Sequence, residues 1–338
     1  MRYREAGVDI ERASALKDAL VRAVAATHGP AVRPLPGGFA GVMEWPGGGR
    51  LLAATMDGVG TKLHLALAAG RVADAAADLV YHGANDLLVH GARPLAFLDY
   101  IAQSRLDPAV VLAIVEGLSR ACFEVGAALL GGETAEMPDT YLPGVVDVAG
   151  CMLGCVKGDS VLEGGAVRAG DVVLGLGSSG LHTNGYSLAR RVVAESGQPL
   201  DRPLPGGGGE SLGDALLQPH RWYGRAIQPL LETEEVHAMA HVTGGGLGGN
   251  LRRVLPEGLR ARLRASAWPR PALFGWLIRA GEIPEADARE AFNLGIGWVV
   301  VCPSETAEIV GTKLRAAGET VWEIGSVIAG ERGVEWDT

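Results

Sequence analysis

The stretch Ala53-Ala54-Thr55-Met56-Asp57-Gly58-Val59-Gly60-Thr61-Lys62-Leu63 joins an apolar, strand-like run directly to a carboxylate, two glycines, a hydroxyl and a lysine. That composition suits phosphate and metal. Gly58 and Gly60 let backbone N–H groups approach an anion, Asp57 offers oxygen to a hard cation such as Mg²⁺, and Thr61 and Lys62 can meet phosphate oxygens. A tight turn after a strand reads the same way, and the stretch alone does not decide between the two. Further on, Gly83-Ala84-Asn85-Asp86-Leu87-Leu88 brings a second Asp inside an apolar run. Leu129-Leu130-Gly131-Gly132-Glu133-Thr134-Ala135-Glu136-Met137-Pro138 then repeats the opening chemistry. Asp57, Asp86 and Glu133 are therefore candidate Mg²⁺ ligands, and carboxylates that converge on a triphosphate through magnesium make an ATP site.

Three further loops carry polar chemistry. Pro34-Leu35-Pro36-Gly37-Gly38-Phe39-Ala40-Gly41 is either a flexible connection or a lid whose N–H groups close over nucleotide phosphates, with Phe39 as an apolar plug. Gly177 to Ser187 reads as a phosphate loop that turns Ser178, Ser179, His182 and Asn184 towards a substrate. His182 is either a loop histidine with a structural hydrogen bond or a proton-transfer group. Thr243-Gly244-Gly245-Gly246 is a second anion-facing loop or a hinge. Gly175 to Gly180 and Gly244 to Gly249 both fit the dinucleotide fingerprint. The first opens no helix at once, and no strand-end acid follows it where a ribose would require one.

The elements that must hold these loops follow from periodicity. Helices are expected over Ile10 to Ala26, Lys62 to Ala76, Asp78 to His90, Pro108 to Gly126, Tyr186 to Ala194, Ala215 to Thr233 with a break near Pro219, Gly249 to Val254, Ala272 to Ala280, Glu285 to Ala291 and Glu305 to Ala317. Strands are expected over Leu51 to Met56, Arg93 to Asp99, Val148 to Val156, Asp171 to Leu176, Gly295 to Cys302 and, last, Val321 to Ile328. His82 and His90 read as packing or surface residues. A boundary near Gly158-Asp159 divides the chain into 1–158 and 159–338. The fold class is α+β: two α/β-type domains, the first with a mixed sheet and the ATP site, the second a sheet packed with helices.

At 338 residues and 48% hydrophobic content the chain can bury sizeable cores. Its net charge of −9 argues against general binding of nucleic acid or acidic membranes, while leaving room for a phosphorylated small molecule. No apolar run reaches membrane-spanning length and no basic leader opens the chain, so the expected location is the cytoplasm. Cys122, Cys151, Cys155 and Cys302 are too scattered for a disulfide framework, and Cys151 and Cys155 read as buried thiols on one strand face. The basic residues are skewed to arginine, with lysine confined to Lys17, Lys62, Lys157 and Lys313. A lysine kept inside the glycine-rich stretch points to a need for a compact ammonium.

Gly7-Val8-Asp9, Gly37-Gly38-Phe39, Asp57 to Lys62, Asn85-Asp86-Leu87, Phe97-Leu98-Asp99-Tyr100, Gly131 to Pro138, Gly177 to Ser187, Ala240 to Gly246 and Phe292 to Gly297 occur in one order. In that order the chain resembles the phosphoribosylformylglycinamidine cyclo-ligases over nearly its whole length. The resemblance implies ATP-dependent closure of an imidazole ring, a homodimer, and ATP and Mg²⁺ as cofactors. It implies that Asp57, Asp86 and Glu133 hold Mg²⁺, that Gly37, Gly38, Gly58, Gly60, Thr61, Lys62, Asn85 and Asp86 hold ATP, and that Asp57, Lys62 and His182 take part in catalysis. Ser178, Ser179, Gly180, His182, Asn184, Thr243, Gly244 and Gly245 would hold the substrate. Two departures stand out: Val21 where the family often has lysine, and Ala40 where it has a second glycine, which stiffens the loop if that position needs positive φ. Selenophosphate synthetases share the pattern but use a reactive Cys or selenocysteine before the lid, and here no cysteine precedes Cys122.

Overall fold

The computed structural model describes residues 20–35, 37–232 and 236–337. Two six-stranded sheets carry the chain. The first contains β1 (Val32–Arg33), β2 (Gly41–Glu44), β3 (Arg50–Gly58), β4 (Arg93–Gln103), β5 (Ala128–Glu136) and β6 (Val146–Lys157), in the order β1-β2-β3-β6-β4-β5. β4 and β5 run parallel and the other neighbours antiparallel. The second contains β7 (Val172–Gly177), β8 (Ala238–His241), β9 (Leu259–Arg264), β10 (Ile296–Cys302), β11 (Val321–Ala329) and β12 (Gly333–Asp337), in the order β12-β9-β11-β7-β10-β8. β12 lies parallel to β9, and the remaining pairs are antiparallel. Sheets of mixed direction with helices packed on them make the fold α+β, as expected.

β6 explains how the first sheet is covered. Its residues alternate between buried and half-buried, with Val146, Val148, Gly150, Met152, Gly154 and Val156 turned inward. Helices Val72–Val89 and Pro108–Val125 lie on that side. Asp107 starts the second of them by accepting from the N–H groups of Ala109 and Val110 at 2.9 and 3.3 Å, Pro108 sits in its first turn, and Gly126 ends it at φ 77°. The two helices touch at Gly117, where a Cβ would lie 2.1 Å from the Ala73 carbonyl oxygen. Gly117→Ala should therefore cost about 1–3 kcal/mol of stability through overpacking. A urea-unfolding midpoint equal to the parent's would mean that the helices part without strain.

Among the described residues, nothing packs on the other side of this sheet. Strand register places Met56, Cys151 and Leu98 side by side, and Met56 and Leu130 are 68% and 66% exposed. Cys151 and Cys155 are free and half-buried on this side, rather than fully buried, because no described element covers it.

Several boundaries differ from the periodicity. One helix was expected over Lys62 to Ala76 and another from Asp78; instead the first ends at Ala68, Gly70 takes φ 66°, and the second runs unbroken over Val72–Val89. Ala215 to Thr233 resolves into short turns at Leu212–Leu216, Gly224–Ile227 and Gln228–Glu232. The helix expected from Gly249 begins at Gly246, and β12 follows the strand expected to be last. Of the expected helix Ile10 to Ala26, residues 20–25 are helical, and Lys17 lies outside the described residues. Among the described residues no helix is long and apolar enough to cross a membrane.

Helix Val72–Val89 is what joins the halves. One face packs on the first sheet; the other presents Asp78, His82, Asn85 and Asp86, all buried, to the second domain. Spacings of four and seven or eight residues put these polar groups on one stripe.

Candidate active site

Main-chain atoms of the second domain meet side chains of the first along this stripe. Lys62, 1% exposed, forms a short ion pair with Asp78 and donates to the carbonyls of His182 at 3.1 Å and Gln218 at 3.0 Å. The other Asp78 oxygen accepts from the His220 backbone N–H at 2.7 Å. Asn85 donates to the Arg221 carbonyl at 2.9 Å and accepts from the Tyr223 N–H at 3.2 Å. Arg71 adds a bond to the Leu217 carbonyl at 3.2 Å. Lys62 was expected to meet phosphate and Asn85 to hold ATP. The structure instead spends all three ammonium protons and both ends of the amide on docking the domains, as burial of such groups demands.

Beside this clasp stand four of the chain's eight histidines. Asp57, at the end of β3, and Asp86 both face His82 Nε2, at 2.9 and 3.6 Å, while His82 Nδ1 lies 2.7 Å from Thr183 Oγ1. Burial alone would push His82 down, but the carboxylates of Asp86, Asp57 and Asp78 outweigh it and raise it to about 9. Burial would raise Asp57, yet the bond and charge of His82 hold it below the usual carboxylate range. His82 is thus no packing residue; it is a cation held between two acids.

The other three rings have tautomers that follow from their partners. Asp86 accepts from His241 Nδ1–H at 2.8 Å, so His241 Nε2 carries a lone pair and accepts from His220 Nε2–H at 2.9 Å. His220 Nδ1 is left as a buried acceptor without a partner. His182 Nε2 accepts from the Ser179 backbone N–H at 3.3 Å, which puts the proton on Nδ1, a buried donor also without a partner. Burial first, and then the neighbouring imidazoles and Lys62, hold His182 and His220 well below the usual histidine range. Both are neutral rings, stacked at 4.1 Å. His182 sits at φ 62°, a strained placement for a non-glycine residue.

The expected substrate loops meet here. Ser178 Oγ donates to Asn293 Oδ1 at 3.0 Å, and Asn293 holds the Gly180 carbonyl at 2.8 Å. Ser179 Oγ makes a short bond to the Pro219 carbonyl, and Asn184 donates to Thr183 Oγ1 at 3.2 Å. A Cβ on Gly244 would lie 3.2 Å from Asn184 Oδ1, so the turn Thr243-Gly244-Gly245 abuts the first loop. Thr61 reaches across to Ser187 at 3.3 Å, and Gly60 takes φ 69° in the turn between β3 and the next helix. The Asp57 carboxylate folds back on the Gly58 N–H at 2.7 Å.

Gly37 and Gly38 lie on the far side of the same seam. The Gly38 N–H donates to the Leu35 carbonyl and the Phe39 N–H to His90 Nε2, both at 2.8 Å, so these lid groups are engaged internally rather than left open to phosphate. Ala40 does not take positive φ, so its side chain costs the loop nothing. Glu133 does not join Asp57 and Asp86. It is exposed on edge strand β5, and the register Glu133–Tyr100–Ala149–Gly58 sets it three strands away, roughly 14 Å at ordinary strand spacing.

Two metal chemistries can be weighed on this geometry. The nitrogens of His182, His220 and His241 cluster, but rings stacked face to face cannot aim their lone pairs at one ion. The oxygens of Asp57 and Asp86 do converge on one point, already holding a cationic group, and hard oxygens are what Mg²⁺ takes. His82, Asp78, His220 and Asn293 were not singled out from sequence as functional. A signal did exist for His82, which lies one turn from both Asp78 and Asp86 on a single helix.

Over residues 37–156 the chain matches the N-terminal domain of AIR synthase related proteins, and over 168–337 their C-terminal domain. A phosphoribosylformylglycinamidine cyclo-ligase of a Synechococcus species is 44% identical over 336 residues, which cover 98% of this chain and 97% of the relative. Another, from Sorangium cellulosum, is 46% identical over 332 residues, 97% of this chain and 95% of the relative. The crystal structure of thiamine-monophosphate kinase from Stenotrophomonas maltophilia aligns with a TM-score of 0.66 at 19% identity, over 94% of this chain and 95% of that one, a likeness of fold. With both domains matched in order and relatives similar from end to end, the chain belongs to the AIR synthase related family, among the phosphoribosylformylglycinamidine cyclo-ligases.

Proposed function

We propose that this protein closes the imidazole ring of formylglycinamidine ribonucleotide in purine biosynthesis, at the expense of ATP. The observation that carries this reading is the meeting, along one interdomain seam, of Asp57 and Asp86 from the first domain with the polar turns 178–184 and 243–245 of the second, through His82, Thr183, His241 and Asn184. The chemistry needs both sides. A formamide oxygen is too poor a leaving group to depart as oxide, so it attacks the γ-phosphorus of ATP and ADP leaves. An amidine nitrogen then attacks the activated carbon, loses a proton, and expels inorganic phosphate. The protein's work is alignment and charge neutralisation.

Asp57 and Asp86 would hold Mg²⁺, which neutralises phosphate charge when bound. Gly58, Gly60 and Thr61 line the turn offered to the nucleotide, with Gly37 and Gly38 beyond it. Ser178, Ser179, Gly180, Asn184, Thr243, Gly244 and Gly245 form the side offered to the substrate and its phosphate. The His182 Nδ1–H is a fixed, neutral donor suited to the reacting amide oxygen. Lys62 acts by holding the two sides at a fixed separation. Glu133 stays a metal ligand in this reading only if a second copy brings it to the cleft. The apolar side of the first sheet, with Met56, Leu98 and Leu130 uncovered, supports a homodimer built on that surface. Residues 1–158 form the nucleotide domain and 159–338 the substrate domain. The partner is a phosphorylated small molecule, not nucleic acid or a membrane, and the place of work is the cytoplasm.

Incubating the protein with formylglycinamidine ribonucleotide, ATP and Mg²⁺ should yield ADP, phosphate and aminoimidazole ribonucleotide in equal amounts, and a chelator should abolish all three. Absence of substrate-dependent phosphate release would overturn the reading.

A further inference from the structure

The helix Gly246–Arg253 has one end in each side of the proposed reaction. Its N-terminus is the Thr243-Gly244-Gly245 turn, and Asn250 binds that turn down by donating to the carbonyls of Thr243 at 3.3 Å, Gly244 at 3.2 Å and Gly246 at 2.8 Å. The Thr243 hydroxyl returns a bond to Asn250 Oδ1 at 3.2 Å. At the other end Arg253 reaches into the first domain. Its Nε donates to the Gly37 carbonyl at 2.8 Å and its terminal nitrogen to the Gly38 carbonyl at 2.7 Å, while the guanidinium lies 3.6 Å over the Phe39 ring. The remaining nitrogen donates to Asn250 Oδ1 at 3.2 Å, which closes the connection.

Two further features make this a built contact. A Cβ on Gly37 would lie 2.8 Å from the Arg253 carbonyl oxygen, and Gly37 takes φ 76°, so the segment rests directly on the helix end. Arg332 fixes that end from the opposite side by donating to the carbonyls of Arg252 at 3.1 Å and Arg253 at 2.9 Å. Eight residues of helix make a stiff strut of about 12 Å. A planar fork with several donors can hold two carbonyls, a ring face and Asn250 at once; a lysine cannot.

We propose that Arg253 is a positioning residue that makes the two substrates bind interdependently, by tying the Gly37–Phe39 segment to the Thr243–Gly245 turn through one rigid helix. The inference rests on the reading of those segments as nucleotide and substrate sites. Order imposed on the turn by one ligand is carried to the segment that meets the other, so each ligand finds its site already arranged.

The test is calorimetric titration of the full chain with a non-hydrolysable ATP analogue and Mg²⁺, with and without saturating formylglycinamidine ribonucleotide. In the parent protein the substrate should tighten analogue binding about tenfold, and in Arg253→Met and Gly37→Ala by less than about twofold. The two variants perturb the contact from opposite sides, so a folding defect in one, read from its melting temperature, leaves the other to decide. Arg253→Lys should recover only part of the coupling. A tenfold effect retained in a folded Arg253→Met, or no coupling in the parent, would overturn the inference. A parent protein that binds neither ligand would overturn the proposed function instead.

Discussion

Replacing Lys62 with methionine is expected to lower the unfolding midpoint by about 4–7 °C, from a loss of roughly 3–5 kcal/mol. The size follows from what is left behind. Asp78 is fully buried, and without the ammonium its charge keeps only the His220 N–H, while two carbonyls lose their donor. Burial alone would lower the Lys62 pKa, but Asp78 and Tyr186 raise it overall. The sign of the linkage follows: a raised pKa gives stability that is fully present below the unfolded value of about 10.4 and lost only as pH climbs beyond it. Differential scanning calorimetry at neutral pH reads the effect directly. The double variant Lys62→Met with Asp78→Leu should recover part of the loss, because the stranded charge is gone while the carbonyls of His182 and Gln218 and the His220 N–H remain without their partners. A single variant that melts with the parent would show that the pair does not hold the domains.

The second large effect concerns His182, and it distinguishes two kinds of chemistry. Removing the ring with His182→Gly, which keeps the φ of 62° accessible, should slow single-turnover ring closure by about 10²–10³-fold, the usual cost of one aimed donor. His182→Asn should stay within about tenfold of the parent, because asparagine accepts left-handed φ and places an amide N–H close to where Nδ1–H stood. Asparagine cannot carry a proton. Quenched-flow measurement therefore separates a neutral donor, which the depressed pKa and orphaned Nδ1–H support, from a proton carrier. If Asn is as slow as Gly, the carrier role stands; if neither variant is slowed, His182 has no part in the chemistry.

How far the sequence reached depended on how local each signal was. The helix Pro108–Val125 carries its own cap, proline and terminal glycine, and the strand into Asp57 ends in its own turn, so both could be read from neighbours. The boundary between Lys62–Ala68 and Val72–Val89 was blurred because alanines fill both sides of Gly70 and give periodicity no contrast. β8 is a four-residue buried run, too short to stand out from a helix segment. Contacts between domains were out of reach altogether. Lys62 finds Gln218, and Asp78 finds His220, across 156 and 142 residues, and no spacing rule spans that distance. The glycine stretch drew attention to Lys62, and tertiary burial, which the stretch does not reveal, gave the ammonium its partners across the seam. Glu133 matched the acid pattern in composition, but strand order, which periodicity does not reveal, sets it apart from Asp57 and Asp86 within one chain.

One feature of the clasp bears on how this protein can change over generations. Lys62, Asp78, Asn85 and Arg71 grip residues 182 and 217–223 through carbonyls and amide N–H groups, not through side chains. Main-chain atoms are common to nearly every amino acid, so the grip on Leu217, Gln218 and Arg221 does not depend on which side chains they carry, whereas His220 stays tied by its ring to His182 and His241. The gripping residues have no such latitude. Drift in the pocket is thereby uncoupled from drift in assembly, which lets new side chains be tried beside the reacting groups while the two halves keep their separation.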